Sequence, residues 1–269
     1  MFSNPSEASP KTAAPAGSQS PGWISALFAL VLGASALSGQ GLSGGTATAP
    51  SAVLTPDEDE NYGSVVSDPF EGFNRAMFAF NGSFYRFVAR PVAKTYETVI
   101  PGQVRTPIGN FLQNLLYPVR FASSLLQGKF ERAALETGKF VLNSTVGLGG
   151  LETPHESIAS LRDIPGEDFG QTLGVWGFSH GPYVVLPVIG PASVRDTVGR
   201  LGDAAATPWS WRWVSFYEWE VAASIEAAWI LDRLPRNLET FDNTVRGAAD
   251  PYIAVRDGYI QFRNAQVAR

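Results

Sequence analysis

An all-α fold is the class this sequence predicts for the greater part of its length, on three observations. Apolar residues recur at helical steps of three and four from Phe70 to Phe87. No sustained alternation of apolar and polar residues, the mark of half-buried strands, occurs. Prolines at 91, 101, 107 and 118 divide the following stretch into segments the length of short helices. One extended segment, Tyr183–Leu186, and one glycine-rich hairpin, Val146–Leu151, are the expected interruptions. With no internal repeat and no boundary inside 68–269, a single helical domain follows a disordered N-terminal region.

Composition narrows the function classes. Charged residues make up 17% of the chain, against roughly a quarter in ordinary soluble domains, aromatic residues reach 12%, and mean hydropathy is near zero. This suits a protein that sets apolar surface against lipid or a partner, and equally a well-packed enzyme. The net charge of −5 is mostly N-terminal: Lys11 opposes Glu7 and the run Asp57–Glu60, leaving the remainder almost neutral. A neutral body argues against a nucleic-acid partner. The chain has no cysteine, which excludes disulfides, thiolate metal ligands and a cysteine nucleophile.

Residues 1–21, rich in Ser, Pro, Ala and Gly, are expected to be disordered. Trp23–Leu37 is fifteen uncharged, largely apolar residues, short for a membrane span and suited to the apolar core of an export signal. Ala34-Ser35-Ala36 and Ala47-Thr48-Ala49 offer small residues for cleavage. The positive charge ahead of them is only Lys11 and the amino terminus, and a buried core helix is the competing reading. Residues 1–40 are thus a signal-like segment, and 41–67 a solvated linker.

Asp68-Pro69 predicts a helix start. The stripe Phe70, Phe73, Met77, Phe80, Phe84 and Phe87 follows, with Asn74, Arg75, Asn81 and Arg86 lying off it. Such a seam packs on a core or, as an interfacial helix, sits among acyl chains. Ile108, Phe111, Leu112 and Leu115 give one face of a further helix. Val119–Leu126 forms another ending at Gly128, and Phe130–Leu142 a third. The third runs into Asn143, Val146, Gly147, Leu148, Gly149, Gly150 and Leu151. Here glycines alternate with apolar residues where a surface turn would carry Asn, Asp, Ser or Pro. Two readings stay open: a lipid-facing hairpin, or a tight turn buried against the core. Beyond the glycine- and proline-rich 163–191, helices resume at Val194–Leu201, Trp213–Leu231, Asn237–Arg246 and Pro251–Gln266. Asp250-Pro251 repeats the earlier start signal.

Several patterns tempt and fail. Gly177-Phe178-Ser179-His180-Gly181 matches Gly-x-Ser-x-Gly, yet an extended segment follows where a nucleophile elbow requires a helix. His180 is adjacent to the serine, and His155 lies upstream. Neither histidine has a carboxylate at helical spacing for a zinc site, and both read as surface or capping residues. The glycines of 170–181 lack the Gly-Lys-Ser/Thr of a phosphate loop. Arg162-Asp163 and Arg195-Asp196 are local charge pairs. No catalytic set assembles, and no cofactor or metal is expected, which favours binding or transport.

Taken in order, Asp68-Pro69-Phe70-Glu71-Gly72-Phe73-Asn74-Arg75, Arg90-Pro91-Val92-Ala93, Asn110-Phe111, Leu126-Gln127-Gly128, Phe140–Gly150, Phe169–Gly174, Gly181–Pro187, Arg195-Asp196 and Asp250-Pro251-Tyr252 closely resemble the MlaA (VacJ) family of Gram-negative outer membranes. The resemblance covers most of 68–260. It implies a ring-like helical protein in the inner, periplasmic leaflet of the outer membrane. Its amphipathic channel would pass misplaced phospholipid from the outer leaflet to a periplasmic lipid carrier of the Mla system, beside a trimeric porin. On that reading Phe70–Phe87 is the membrane-facing helix and Asn143–Leu151 the channel hairpin. The alternative is a porin-associated scaffold that binds lipid without transporting it. The chain departs from the pattern at Leu37-Ser38-Gly39-Gln40, where a lipoprotein of this family would carry cysteine in place of Gln40. Anchoring then rests on the embedded ring and its partners, on an uncleaved N-terminal segment, or on a different start.

Overall fold

A computed structural model describes residues 68–210 and 219–269. The expectations for 1–67, and for the first turns of the helix expected from Trp213, lie outside the described residues.

Helix α1, Glu71–Phe84, passes through a π-helical turn, Tyr85–Ala89, into α2, Arg90–Val99, without a break. The Pro91 ring would clash with a normally placed carbonyl four residues back, and the wide turn just before it, where the Arg90 N–H reaches Tyr85 O, absorbs the misfit. Pro91 therefore does not end the helix, contrary to expectation. Pro107 likewise sits inside α3, Gly102–Leu115, whereas Pro101 precedes it and Pro118 falls in the first turn of α4, Tyr117–Leu126. Helix α5, Phe130–Thr145, leads into the short 3₁₀ turns Leu148–Gly150 and Pro154–Ser157 and the brief α6, Ala159–Arg162.

Helix α7, Phe169–Val175, is capped by Asp168, whose side chain accepts from Gln171 N. The extended segment is strand β1, Tyr183–Leu186, as expected. Its antiparallel partner β2, Gly190–Ser193, was not foreseen, because Gly190-Pro191 reads as a turn. Ser193 then caps α8, Val194–Ala206. The two helices expected at 213–231 and 237–246 are one, α9, Trp219–Val245, running through Pro235. Asp250 caps α10, Pro251–Val267, accepting from Tyr252 N and Ile253 N with Pro251 in the first turn. The other Asp-Pro pair works differently. Asp68 does not cap α1; it accepts from Asn74 Nδ2 at 2.7 Å and from the Tyr252 hydroxyl, tying the start of α1 to α10.

Among the described residues, buried apolar side chains gather in three modest clusters. Leu112, Leu116, Val119, Trp209 and Trp229 join α3, α4 and α9. Tyr183, Val185, Tyr252 and Ile260 join the strands to α10, with Met77 and Phe78 of α1 against them. Ala89, Ala93 and Leu238 join α2 to α9, with Phe84 and Tyr85 alongside. Buried polar contacts supply much of the rest. Asn74 is fully buried: its Nδ2 donates to Tyr183 O at 3.0 Å, and its Oδ1 accepts from Val185 N at 2.8 Å. Two turns on, Asn81 repeats the arrangement with Leu186 O and Val188 N. The two amides satisfy the open edge of β1 as a neighbouring strand would.

Arg263 of α10 joins three helices. Its guanidinium donates to both oxygens of Asp168 at the start of α7 (2.7 and 3.0 Å) and to both of Asp196 on α8 (2.9 and 3.0 Å). Tyr259 adds its hydroxyl to Asp196 at 2.6 Å. Helices α7 and α8 approach closely enough for this because Gly199 lies against the backbone of Gly170, where a Cβ would come within 2.4 Å of the Gly170 nitrogen. Burial pushes the Asp196 carboxyl up, but Arg263, Tyr259 and Arg195 overcome it and hold the group at about 2. A carboxylate held below its unfolded pKa of about 4 contributes stability present above that pH and lost as pH falls towards 2. Arg263→Leu is therefore expected to cost about 3–5 kcal/mol, since it strands two buried carboxylates. In urea unfolding followed from pH 7 down to pH 2, the variant should also lose most of the acid-side slope of the parent.

Candidate functional site

The helices surround a cavity of about 1610 Å³, larger than the roughly 300–1,000 Å³ of ordinary small-molecule sites. Its wall is built from polar stripes at helical spacing. Helix α2 contributes Arg90, Lys94 and Glu97; α5 contributes Glu136, Lys139 and Asn143; α9 contributes Asp232, Arg236, Glu239 and Asp242. Residues spaced by three and four fall on one helix face, so each helix turns a charged edge inward. Ion pairs join neighbouring edges: Arg90 with Asp242 between α2 and α9, Arg105 with Glu97 at 3.4 Å, and Arg120 with Glu136 at 2.7 Å. Ala93, Leu238 and Phe262 add apolar patches, so the wall is amphipathic.

The outer faces are the reverse. Of the aromatic stripe on α1 and the π turn, Phe70, Phe73, Phe80 and Phe87 are exposed, Phe87 to 72%. Met77 and Phe84 alone are half-buried, in the clusters already described. Asn74 and Asn81, off the stripe, face the interior. Val99, Val104 and Phe111 on α2 and α3, and Phe130 and Val141 on α5, are exposed as well. The amphipathic helices thus have charge on the cavity side and hydrocarbon outside.

The glycine hairpin stands at one edge of this wall. Asn143 lines the cavity and accepts from His155 Nδ1 at 2.9 Å; an amide oxygen only accepts, so the ring nitrogen carries the proton. Burial, aided by Lys139, lowers the His155 pKa to about 4, and the imidazole is neutral. His155 is therefore a buried partner of the hairpin and not the surface or capping residue expected. Past Asn143 the backbone enters left-handed conformations at Leu148 (φ +51°), Gly149 and Gly150. Helix α3 holds it there: Asn114 Nδ2 donates to Ser144 Oγ and Gly149 O, and Asn110 Nδ2 to Leu151 O. Gly150 and Gly147 are buried, whereas the Val146 and Leu148 side chains project into open space, Leu148 at 71% exposure, and Leu151 is partly exposed. The structure thus brings Asn143 to the cavity and sends Val146 and Leu148 outward.

The hydrolase pattern has no elbow. Ser179 lies between helix α7 and strand β1, the opposite order to a strand-to-helix turn, and His180 Nδ1 faces Gly181 O, away from a triad role. Among the described residues no group of His, Asp and Glu is placed to hold a metal ion, and no helix is long and apolar enough to cross a membrane. The charged cavity residues escaped the sequence reading because they are spread from Arg90 to Arg269 with no local motif. Their signal was the inward stripe itself, Asp232-Arg236-Glu239-Asp242 on α9 above all.

Comparison with known proteins gives the family. The sequence model described as MlaA lipoprotein matches residues 66–266. The chain belongs to the MlaA family. The Escherichia coli K12 protein named intermembrane phospholipid transport system lipoprotein MlaA is 34% identical over 199 residues, 72% of this chain and 76% of its own length. Its Haemophilus influenzae namesake is 32% identical over 220 residues, covering 80% of this chain and 86% of itself. A solved structure described as "Structural basis for maintenance of bacterial outer membrane lipid asymmetry" aligns with a TM-score of 0.61 at 32% identity, over 75% of this chain and 99% of its own. The helical fold of the MlaA family is therefore the fold of this chain.

The hairpin's geometry is testable. Gly150 has a φ of +100°, and a Cβ there would lie 2.6 Å from the Asn114 Cβ. Gly150→Ala should displace the hairpin from α3, costing on the order of 1–3 kcal/mol. Amide exchange at 147–152 should then rise well above the parent's while exchange in α7 and α8 stays unchanged.

Proposed function

We propose that this protein is a non-enzymatic component of the phospholipid transport system that maintains outer-membrane lipid asymmetry. It removes misplaced phospholipid from the outer leaflet through the amphipathic cavity and passes it to a periplasmic carrier. The observation that carries the reading is the inverted wall: a large charged cavity inside helices whose outer faces expose phenylalanine, valine and leucine. Lipid chains solvate the outside and the headgroup is solvated within, which is how polar surface is tolerated at membrane depth. The names borne by the relatives point the same way.

The same surface supports a position in the membrane. The body sits in the periplasmic leaflet of the outer membrane, with Phe70, Phe73, Phe80 and Phe87 of the α1 face among acyl chains, beside a trimeric porin. The hairpin stands where the cavity wall meets lipid: Asn143 faces the lumen, Val146 and Leu148 the hydrocarbon. A porin-associated scaffold that binds lipid without moving it shares every one of these contacts, so only transport itself separates the two. Deleting the gene should raise surface-exposed phospholipid, and the intact copy should reverse the rise. An unchanged surface, with the protein present in wild-type outer membrane, would discard the transport reading in favour of the scaffold.

Two variants probe the two faces. Phe73→Asp with Phe80→Asp changes exposed side chains and should leave the thermal unfolding midpoint in detergent nearly unchanged while moving the body from the membrane to the soluble fraction. A protein that unfolds instead would place these rings in the core. Leu148→Asp should cut lipid passage severalfold at normal protein level and location, because it sets a charge at the lipid edge of the cavity; undiminished passage would remove the hairpin from the route.

A further inference from the structure

The cations lining the cavity are not equally satisfied. Arg90, Arg105, Arg120 and Arg236 each pair with a carboxylate, and Arg162 donates to Glu156 O. Lys94, Arg246 and Arg269 stand unpaired among the described residues but are exposed, where water solvates them. Lys139 differs. It is half-buried in the wall of α5 and makes no hydrogen bond or ion pair among the described residues. Burial lowers its pKa first, Arg120 lowers it further, and the weaker pull of Glu136 and Glu156 does not restore it. An ammonium withdrawn from water beside a guanidinium is unfavourable unless an anion arrives from elsewhere.

The neighbouring groups are placed to help such an anion. Arg120 commits Nε to Glu136 Oε2 and Nη1 to Gln113 O, which leaves Nη2 free. Glu136 holds Arg120 through Oε2 at 2.7 Å and leaves Oε1 without a partner; these two and Lys139 sum to one net positive charge, with the exposed Glu156 carboxylate further along the wall. One turn beyond Lys139, Asn143 gives its oxygen to His155 and keeps its amide nitrogen without a protein partner. The imidazole is neutral, so it adds no second charge. Ammonium, guanidinium and amide donors facing one cavity recognise the tetrahedral oxyanion of a phosphodiester.

We infer that Lys139, assisted by Arg120 and Asn143, forms a subsite for the phosphate of a glycerophospholipid inside the cavity. This rests on the transport reading and deepens it: the headgroup phosphate is held on the α5 wall at one defined place during passage. The acyl chains, having no partner on this charged wall, extend past its apolar patches.

Isothermal titration of the full chain in non-ionic detergent tests the subsite. The probes are dihexanoyl phosphatidylglycerol, dihexanoylglycerol with the same tails and no phosphate, and glycerophosphoglycerol with the same headgroup and no tails. Lys139→Gln should weaken phosphatidylglycerol binding about tenfold, the worth of one charge-assisted hydrogen bond, while Lys139→Arg stays within about threefold of the parent. Dihexanoylglycerol should bind the parent and Lys139→Gln equally. An unchanged phosphatidylglycerol affinity in Lys139→Gln overturns the subsite and leaves the transport reading standing. An equal loss for dihexanoylglycerol assigns Lys139 to the fold and overturns it too. Glycerophosphoglycerol binding as tightly as the lipid makes the ligand a soluble phosphodiester and overturns the lipid assignment. A parent that binds neither lipid overturns both readings.

Discussion

The ion pairing of Arg263 is the interaction on which the remainder of the ring depends. Asp168 caps α7, Asp196 sits in the first turn of α8, and one guanidinium on α10 bonds all four of their oxygens. A ring cannot close on hydrophobic burial alone when its helices give their charged edges to a lumen and their apolar edges to the outside. Where lipid surrounds a protein, apolar packing between helices loses its driving force, since the tails are as apolar as leucine. Cohesion must then come from polar groups satisfied within the wall. Glu167, with Lys129, Arg132 and Gln127 around it, and Glu136, with Arg120, do this at other joints. Such pairs are costly to break one partner at a time, and so they fix which helices adjoin.

Helix α1 shows the same inversion at the scale of one element. A surface helix in a soluble domain buries its apolar stripe and wets its amides. Here Asn74 and Asn81 are buried, because the edge of β1 offers carbonyls and N–H groups that must be met. The two asparagines lie two turns apart, so they reach successive parts of one strand. Once that face is committed, the phenylalanines have nowhere to go but outward, and Met77 and Phe84, at the margin, reach the core clusters.

Local signals in the sequence carried the helical class, the hairpin, strand β1 and the Asp250 cap, since each depends on residues within one turn of each other. What stayed illegible depended on distant partners. Strand β2 carries Gly190 and Pro191 and exists because β1 pairs with it. Pro91 read as a break and two helices were expected where α9 runs through Pro235, but a π turn and a long packed helix accommodate the two prolines. Asp68 matched a capping signal and proved to be a tether to Tyr252, a partner 184 residues away. The cavity was the largest gap. Its charges come from six helices, and only the spacing of charge along α9 was present in any single stretch. The phenylalanine stripe showed its periodicity plainly, but periodicity alone does not say which side of a helix faces in.

The hairpin joins these themes. Its glycines left the choice between a lipid-facing hairpin and a buried turn; the backbone is held at Ser144, Gly149 and Leu151 by two asparagines of α3, and Asn143 is held by His155. Glycine at 150 is needed because α3 approaches too closely for a side chain. What is left free is two apolar side chains, Val146 and Leu148, on a fixed support. A residue such as Leu148 adopts a left-handed backbone only when its surroundings impose it, and that strain is tolerated where a shape matters more than a contact. A clamped loop with Asn143 on the cavity side and Leu148 exposed on the other keeps a polar face and an apolar face at fixed positions. On the transport reading, a lipid crossing there meets a rigid edge, and its phosphate passes from water to the donors of α5 while its tails remain in hydrocarbon.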